Sequence, residues 1–360
     1  MEIYDGLNYA PKGKLNSPVC KAYEFVFAAM ALDHGHIYGM CNGLIEAGAT
    51  LKYVYDPDPI KVERFLRTYP NVRAASSEEE ILKDKEVKLV AGAAIPSLRC
   101  ALGLKVMDYG KDYFTDKAPF TTLQQLEAAK IKVKETGLKY AVYYSERIHV
   151  ESAIYAGQLI KAGAIGKVLQ VIGLGPHRLS AATRPEWFFK KEQYGGILCD
   201  IGSHQIEQYL YYADVKDATV VRSQVANYNH PEYPELEDFC YAMLVGDNGT
   251  THYFRVDWFT PDGLKTWGDG RTIILGTDGY IETRKYINIG TNTNTDHVFL
   301  VNNTIEEHFN VSGKVGYPFF GQLILDCMNR TEIAMTQAHA FKAAQLCLMA
   351  ELNSVRLKGE

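Results

Sequence analysis

Residues 23–59, YEFVFAAMALDHGHIYGMCNGLIEAGATLKYVYDPDP, decide the fold of the first part of the chain. Residues 23–30 are mostly apolar and predict a buried strand, and residues 51–55 predict a second strand. A turn over residues 31–36 and an apolar helix over residues 37–47 lie between them. This strand–turn–helix–strand order is the βαβ unit that binds dinucleotides, so we expect a dinucleotide cofactor.

The turn of this unit matches the glycine pattern of dinucleotide-binding proteins poorly. Its three glycine positions fall on Ala31, Asp33 and His36, and Gly35 is the flexible residue between them. Asp56 ends the second strand, 21 positions after Gly35, where an acidic side chain accepts hydrogen bonds from the adenosine ribose. We therefore predict NAD rather than NADP, with a turn or helix-capping role as the alternative for Asp56.

The histidines on either side of Gly35 raise the question of a metal site. Imidazole is a common metal ligand, but a site needs further carboxylate, thiolate or imidazole ligands. We find no carboxylate or cysteine nearby that completes a site with His34 and His36, and we therefore predict no metal.

Strands and helices continue to alternate up to about residue 148. Helices are predicted over residues 78–84, 98–109 and 122–135, and strands over residues 87–94, 112–115 and 138–144. This pattern predicts a doubly wound, Rossmann-type parallel sheet, whose ligands bind beyond the carboxyl ends of the strands. Lys117 follows such a strand, where a lysine can donate to a substrate hydroxyl; taken alone, it is more simply a solvated loop lysine.

Longer alternating strands begin after residue 148. Strands are predicted over residues 167–173, 219–227, 239–245, 251–259, 272–275 and 280–283, and helices over residues 150–162, 195–211, 318–328 and 334–357. They predict an α+β substrate and oligomerisation domain over residues 149–360 with a large, mostly antiparallel sheet. One face of such a sheet needs a cover, so we expect a homodimer or homotetramer formed through it. The dinucleotide-binding domain, residues 1–148, would begin with a surface arm over residues 1–22, and the final helix would pack back on this domain.

The composition excludes several classes of function. A net charge of −5 offers no basic surface for nucleic acid or an anionic membrane. No apolar run approaches the roughly 20 residues that span a bilayer, and the N-terminal residues lack the pattern of a signal peptide. The seven cysteines are scattered without a Cys-x-x-Cys pair, which indicates neither a disulfide framework nor a thiolate zinc site. We expect a reduced, soluble, cytoplasmic protein.

Two glycines, Gly195 and Gly196, open a segment that carries Asp200 and His204. In one continuous helix these two side chains would lie on the same face, four residues apart. A carboxylate beside an imidazole orients the ring and raises its basicity for proton transfer. The alternative is a core helix in which the two polar groups only satisfy each other.

Polar and aromatic side chains around this segment are candidates for contact with a substrate. They are Glu146, Arg147, His177, Arg178, Trp187 and Tyr194. An arginine such as Arg178 could bind the carboxylate of an acid sugar, or form a structural salt bridge with Glu186 or Asp200. Trp187 and Tyr194 could form an apolar wall for a sugar ring, or belong to the core.

Three features that occur in this order resemble the glucose–fructose oxidoreductase family, also called the Gfo/Idh/MocA family. They are the strand–turn–helix start, Asp116-Lys117 after a later strand, and Gly195-Gly196 followed by Asp200 and His204. The resemblance covers nearly the whole chain from about residue 23. It implies hydride transfer between a nicotinamide cofactor and a secondary alcohol or ketone of a sugar, polyol or sugar acid.

The resemblance also implies roles for individual residues. Asp116-Lys117 is similar to the Glu-Lys-Pro motif of the family, whose lysine contacts the substrate hydroxyl and the nicotinamide ribose. His204 matches the histidine that transfers the proton, and Asp200 matches its neighbouring carboxylate, so the predicted catalytic residues are Lys117, Asp200 and His204. The predicted cofactor-binding residues are Ala31, Asp33, His34, Gly35, His36, Ile37, Asp56, Ile95, Pro96, Asp116 and Lys117.

The chain departs from the family pattern at two places besides the glycine-poor turn. Ala118 separates Lys117 from Pro119, and Cys100 stands where many members have a histidine. Two alternatives to the dehydrogenase therefore stay open. One is an enzyme of the same fold that keeps NAD bound and cycles it in a net hydrolysis or elimination. The other is a non-catalytic regulator that binds a dinucleotide and a partner.

Overall fold

The computed structural model describes residues 17–358, so most of the predicted arm at residues 1–22 lies outside the described part. The chain folds into two compact units. The first comprises residues 17–143 and 318–341 of the described chain, and the second comprises residues 144–317 and 342–358. The predicted division at residue 148 therefore differs from the observed one in two ways. Residues 144–148 belong to the second unit, and residues 318–341 belong to the first.

The first unit alternates strands and helices. Its elements up to Tyr143 are β1 (Val26–Met30), α1 (His36–Glu46), β2 (Thr50–Tyr55), α2 (Pro59–Thr68), β3 (Arg73–Ala74), α3 (Glu78–Lys83), β4 (Val87–Gly92), α4 (Pro96–Asp108), β5 (Asp112–Asp116), α5 (Leu123–Thr136) and β6 (Tyr140–Tyr143). Within the described residues, these strands form a six-stranded parallel sheet in the order β3-β2-β1-β4-β5-β6. All five residues of β1 are buried, as expected for a central strand of a parallel sheet with both faces covered. The predicted doubly wound sheet is confirmed.

The second unit is built on a larger sheet. Its elements up to Asn310 are α6 (Ser145–Ile148), α7 (Glu151–Lys161), β7 (Val168–Pro176), two short 3₁₀ turns (Ala181–Thr183 and Glu186–Phe189), α8 (Lys191–Tyr194), α9 (Ile197–Asp200), α10 (Gly202–Tyr212), β8 (Ala218–Asn227), β9 (Phe239–Gly246), β10 (Thr251–Asp257), β11 (Arg271–Gly276), β12 (Gly279–Arg284), β13 (His297–Asn302) and β14 (Glu306–Asn310). The chain ends with α11 (Pro318–Asn329), α12 (Gln337–Leu352) and β15 (Val355–Lys358).

The sheet of the second unit has nine strands in the described part of the chain, in the order β14-β13-β12-β11-β7-β10-β9-β8-β15. Only the β7–β10 and β8–β15 pairs are parallel, which confirms the predicted, mostly antiparallel sheet. Across residues 17–358, no helix combines the length and the apolar character that a membrane span requires.

Residues 318–341, which belong to the first unit, make specific contacts with its sheet. Arg330 donates two hydrogen bonds to the carboxylate of Asp112 at the start of β5, at 2.6 and 2.8 Å. The side-chain amide of Gln337 accepts from the backbone N–H of Tyr140 at 2.8 Å and donates to its carbonyl at 3.0 Å. Gln337 thereby satisfies the backbone N–H and carbonyl of Tyr140 on the edge strand β6. Such groups on an edge strand otherwise have no strand partner.

Two predicted helices need correction, and three further strands were not predicted. The predicted helix over residues 195–211 is interrupted, because Gly195 and Gly196 have positive φ angles (85° and 94°) and the helix breaks again at Ile201. The predicted final helix ends at Leu352, and the β-branched Val355 begins β15, which pairs with β8. β3, β13 and β14 were not predicted: β3 is two residues long, β14 is polar, and the apolar run of β13 is only four residues long in an otherwise polar stretch.

Candidate functional site

The predicted cofactor-binding residues lie at the carboxyl ends of four neighbouring strands of the first unit. The turn at residues 31–35 follows β1 and leads into α1, Asp56 follows β2, Ile95-Pro96 follows β4, and Asp116 ends β5 just before Lys117. Because these strands are parallel, their carboxyl ends share one edge of the sheet, where ligands of such sheets bind.

Ala31 adopts the backbone conformation that the missing glycine would favour. Its φ angle is +56°, a left-handed conformation that costs a residue with a Cβ roughly 1–2 kcal/mol. The flanking strands hold it there: the N–H of Ala31 donates to the carbonyl of Tyr55 at 3.1 Å, and the Ala31 carbonyl accepts from Ala93 at 3.0 Å. The turn therefore has a glycine-type conformation at a position where the sequence has alanine.

Asp56 and Asp33 share a lysine in front of this turn. Asp56 is 5% exposed, and its carboxylate accepts from the backbone N–H groups of Leu32 at 2.6 Å and Asp58 at 2.9 Å. Lys61 lies 2.5 Å from the carboxylate of Asp33 and 3.8 Å from that of Asp56. Asp58 is the N-cap of α2, and its side chain accepts from the N–H of Ile60. The helix-capping role considered for Asp56 therefore belongs to Asp58, and Asp56 keeps the turn role as its structural alternative.

His34 and His36 meet the carboxylate of Asp116. Nδ1 of His36 lies 2.7 Å from Oδ1 of Asp116, and Nδ1 of His34 lies 3.2 Å from Oδ2. The premise that no carboxylate completes a group with these histidines is therefore wrong. Burial lowers the pKa of both imidazoles, that of His34 well below its usual value, although Asp116 acts in the opposite direction. Burial alone would raise the pKa of Asp116, but the charges of His36, Arg99 and His34 hold it well below its ordinary range.

Arg99 organises the loop that carries Lys117. It is fully buried and donates to the Asp116 carboxylate at 3.0 Å, to the Ala94 carbonyl at 2.7 Å, and to the carbonyls of Ala118 and Lys117. The Lys117 N–H donates to Oδ1 of Asp116 at 2.8 Å, and the Lys117–Ala118 peptide is cis. Nothing in the sequence marked Arg99 as part of the site, because its partners lie 5 to 19 residues away and are mostly carbonyl groups.

The predicted catalytic residues belong to different units. Lys117 lies in the first unit, and Asp200 and His204 lie in the second. Asp200 ends α9 and is partly exposed, whereas His204 lies in the first turn of α10 and is 1% exposed. The N–H of His204 bonds to the carbonyl of Ile201 at 3.1 Å, three residues back. The helix is tightened and interrupted there, so the two residues belong to two short helices that meet at Ile201 rather than to one continuous α-helix.

Two carboxylates, one buried and one largely buried, hold the beginning of this segment. Glu237 accepts from the N–H of Ile197 at 3.0 Å, and Glu351 accepts from the N–H of Leu198 at 3.3 Å. The ammonium group of Lys191 pairs with both carboxylates, and Arg356 pairs with Glu237 at 2.6 Å. We name Glu237, Glu351, Lys191 and Arg356 the carboxylate clamp. It fixes the first turn of α9 and thereby the start of the segment that bears Asp200 and His204.

Replacing Gly196 with alanine should destabilise the protein more than the same change at Gly249. Both glycines have positive φ angles, 94° and 82°, so each alanine costs roughly 1–2 kcal/mol of backbone strain. A Cβ on Gly196 would lie 2.4 Å from the Glu351 carboxylate, whereas a Cβ on Gly249 would meet nothing within 4 Å. We expect an additional loss of about 1–3 kcal/mol in Gly196→Ala, measured by urea unfolding. Equal losses in the two variants would contradict the close approach to the carboxylate clamp.

The carboxylate clamp should make stability depend on pH. Burial and the neighbouring Glu237 raise the pKa of Glu351 to about 7, against the charge of Lys191. Between the carboxyl pKa of the unfolded chain, about 4.3, and this value, the folded state binds the proton and the unfolded state does not. The contribution of Glu351 to stability is therefore full below that window and falls as pH rises through it. Glu351→Gln should lose less stability than the wild-type protein between pH 5 and pH 8 in urea unfolding. Parallel pH profiles would contradict this assignment.

Glu146 is the centre of a buried polar cluster in the second unit. Its carboxylate pairs with the ammonium of Lys285, lies 3.3 Å from Nε2 of His177, and accepts from Nε2 of Gln205 at 3.2 Å. Burial alone would raise the pKa of Glu146, but Lys285, together with His204 and His177, holds it well below its ordinary value. Glu146, Gln205 and Lys285 also line one small cavity. The structure thus brings two predicted substrate residues together and adds Lys285 and Gln205, which the sequence analysis did not identify.

The remaining predicted substrate residues have structural contacts. Arg147 pairs with Glu207 at 2.5 Å and lies over the ring of Tyr211. Arg178 donates to the carboxylate of Asp262 at 2.8 Å and to two backbone carbonyls of the same loop. Its salt bridge is therefore formed with Asp262 rather than with the expected Glu186 or Asp200.

The two aromatic candidates differ in exposure. Tyr194 is 1% exposed, donates from its hydroxyl to the carbonyl of Glu235 at 3.2 Å, and accepts from the N–H of Glu237 at 3.0 Å. Trp187 is partly exposed and contacts Phe188 edge to face. These contacts favour the core role for Tyr194 and leave Trp187 with an accessible ring.

Comparison with known proteins agrees with this architecture. Residues 154–282 match the GFO/IDH/MocA C-terminal domain. A crystal structure from Erwinia carotovora atroseptica SCRI1043, provisionally called an oxidoreductase, is 51% identical, with a TM-score of 0.90, and the match covers 93% of this chain and all of that one (100%).

Two curated proteins of Bacillus subtilis (strain 168) are more distant. The NAD(+)-dependent scyllo-inositol 2-dehydrogenase is 28% identical over 238 residues, which are 65% of this chain and 66% of that protein. The NADP(+)-dependent scyllo-inositol 2-dehydrogenase is 24% identical over 199 residues, which are 52% of this chain and 55% of that protein. The chain thus spans between half and two thirds of these relatives. With the matched domain, the two-sheet fold and the 51% identical structure, the chain belongs to the GFO/IDH/MocA family of oxidoreductases.

Proposed function

We propose that this protein is an NAD-dependent oxidoreductase that interconverts a secondary alcohol and a ketone of a neutral sugar or polyol. The observation that carries the proposal is a buried imidazole, His204, on a segment whose start is held by the carboxylate clamp. Family membership and the dehydrogenase relatives support the same reaction class.

The reaction divides between the cofactor and the side chains. A nicotinamide held by the first unit would supply the acceptor for the hydride that leaves the carbon atom of the alcohol. In the proposal, His204 accepts the hydroxyl proton, Asp200 orients the substrate and the imidazole, and Lys117 stabilises the negative charge that develops on the oxygen atom. In the reverse direction His204 returns the proton to the carbonyl oxygen.

The first unit has features that fit a dinucleotide. The β1 turn has the glycine-type conformation at Ala31, α1 begins directly after it, and an acidic residue follows β2. Residues 31–36 and Ile37 would hold the pyrophosphate, Ile95 and Pro96 would line the nicotinamide side, and Asp56 would bind the adenosine ribose. Asp56 supports NAD over NADP, because a carboxylate repels a 2′-phosphate. One of the two Bacillus relatives is NAD(+)-dependent and the other is NADP(+)-dependent, so the cofactor preference of this chain is tested directly below.

Two arginines that could have recognised an acid sugar are already paired. Arg147 is held by Glu207, and Arg178 is held by Asp262 and backbone carbonyls. The polar cluster around Glu146 instead offers amide, ammonium and imidazole groups that suit neutral hydroxyls. This pattern supports a neutral sugar or polyol as the substrate class.

Calorimetric titration with NAD⁺ and NADP⁺, followed by a screen of neutral sugars and polyols for reduced cofactor, tests the proposal. We expect NAD⁺ to bind at least tenfold more tightly than NADP⁺ (about 1.4 kcal/mol). Asp56→Ser should reduce this preference, because it removes the repelling carboxylate and keeps the positive charge of Lys61. Binding of neither dinucleotide would overturn the proposal. NAD that co-purifies and cycles without net NADH would instead support the hydrolase or lyase alternative.

We also propose self-association through the open face of the large sheet. Met243, Tyr253, Ile172 and Ile273 form one row across β9, β10, β7 and β11, and none of the four is buried. Helices α7 and α10 pack against the same sheet. A row of apolar side chains that are not buried, across one face of a sheet, is typical of an interface. A cytoplasmic location is proposed as well, and the seven free cysteines support it.

Replacing Met243 with glutamate should dissociate the oligomer, because Met243, at the β9 end of this row, is 45% exposed. Light scattering after size exclusion should give the mass of a dimer or tetramer for the wild-type protein and a smaller mass for Met243→Glu. Ile131→Glu, at a 57% exposed position on α5 of the first unit, is the control and should leave the mass unchanged. A monomeric wild-type protein would refute the proposed interface.

A further inference from the structure

The cluster of His34, His36 and Asp116 has the arrangement of a metal site. Each residue offers one ligand atom, and the three atoms lie within 4.8 Å of one another. The two measured separations from Asp116 are 2.7 and 3.2 Å. Tetrahedral zinc with bonds of about 2.0–2.1 Å places its ligand atoms roughly 3.4 Å apart. The two separations from Asp116 therefore lie within about 1 Å of the tetrahedral value, and the two histidine nitrogens lie within 4.8 Å of each other.

The hydrogen bonding around His34 favours a cation at this place. Nδ1 of His34 lies 3.2 Å from the N–H of His36, which donates to it, and also 3.2 Å from the Asp116 carboxylate. One ring nitrogen cannot accept from the amide and donate to the carboxylate at the same time. A metal ion between the ring nitrogens and the carboxylate interacts favourably with all three groups. The amide at the start of α1 is then available to an anionic fourth ligand.

The charges next to the cluster restrict the kind of ion. Arg99 donates to Oδ2 of Asp116 at 3.0 Å, and the charges of Arg99 and Lys117 both act on the two histidines. Arg99 orients the carboxylate, as partners of metal ligands commonly do. The two positive side chains oppose a weakly held ion such as Mg²⁺ or Ca²⁺, which also prefers oxygen ligands. Two nitrogens and one oxygen suit a transition metal instead.

We propose that His34, His36 and Asp116 bind one transition-metal ion of the Zn²⁺ type, with the fourth coordination position open to water or an anion. The site lies within the first unit, at the turn between β1 and α1. The proposal does not rest on the proposed oxidoreductase function, and neither turnover nor a dinucleotide enters its test.

Calorimetric titration of the metal-free full-length protein with Zn²⁺ tests this site, together with visible absorption after titration with Co²⁺. We expect one equivalent of Zn²⁺ per chain and tetrahedral-type Co²⁺ bands. His34→Ala and His36→Ala should each weaken Zn²⁺ binding by about 100-fold or more. Circular dichroism and the urea midpoint establish that both variants are folded.

A second pair of histidines supplies the matched control. His297 and His308 lie in the second unit with their ring nitrogens 2.8 Å apart. His308→Ala should bind Zn²⁺ as the wild-type protein does. The proposal is overturned if the wild-type protein shows no saturable Zn²⁺ binding. It is also overturned if binding survives in both folded variants, or if the His308→Ala control loses it.

Discussion

Replacing His204 with alanine should lower kcat for the proposed sugar or polyol oxidation by about 10²–10⁴-fold, the usual contribution of a positioned general base. His204 is 1% exposed, and it is close enough to Glu146 to lower the pKa of that carboxyl when the imidazole is protonated. It thus lies beside the polar cluster that is proposed to bind the substrate hydroxyls. Steady-state rates at saturating NAD⁺ and substrate measure the effect, and the affinity for NAD⁺ should stay unchanged.

A second buried histidine of the same unit controls for loss of packing. His252 is 2% exposed, stacks on Tyr209, and bonds to the carbonyl of Val171 at 2.9 Å. His252→Asn should lower the urea midpoint but leave kcat per folded molecule within a few-fold of the wild-type value. Full activity in His204→Ala would remove the proposed base, and equal losses in both variants would indicate a structural effect only.

Replacing Glu207 with alanine should cost about 3–5 kcal/mol of unfolding free energy, because breaking a buried ion pair leaves the other charge unpaired. The Glu207 side chain is 0% exposed, and its partner Arg147 is 10% exposed, with Nε of the arginine 2.5 Å from the carboxylate. The cation of Arg147 also lies over the Tyr211 ring, which retains it in the interior. Urea unfolding monitored by circular dichroism measures the change.

The matched control is an ion pair on the surface. Glu63 and Arg67 lie 2.6 Å apart on α2, with their side chains 67% and 74% exposed. Glu63→Ala should change stability by less than about 0.5 kcal/mol, because water screens an exposed pair. If Glu207→Ala cost no more than Glu63→Ala, Arg147 would be available to a substrate after all, and the preference for a neutral sugar or polyol would lose its support.

Local patterns were sufficient to predict most of the fold. The apolar run of β1, the turn after it and the helix α1 follow from short-range periodicity, and so does the change to longer alternating strands in the second unit. The position of Asp56 at the end of β2 follows as well. The errors occur where periodicity carries little information: at the break in Ile197–Tyr212, in the short apolar run of β13 and the polar strand β14, and at β15, where tertiary pairing overrides a helical pattern.

The candidate sites were only partly predictable. The residues of the β1 turn and Lys117 came from their places at strand ends and from the family resemblance. Arg99, Lys285 and Gln205 had no sequence signal, because a buried side chain that bonds to distant groups leaves no local pattern. Arg147 and Arg178 were candidates by residue type alone, and only their partners Glu207 and Asp262 indicate structural roles.

The sequence by itself determined the order and type of the elements, since hydrophobic periodicity and turn residues act over a few positions. The tertiary structure decided which distant side chains meet. Asp116 is 80 residues from His36 in the chain, and the two meet because β1, β4 and β5 are parallel neighbours whose carboxyl ends share one edge. Glu351 reaches Leu198 across 153 residues, because the C-terminal helix packs where Gly196, which has no Cβ, leaves room for the Glu351 carboxylate. Such contacts depend on sheet order and helix packing, which no local pattern in the chain specifies.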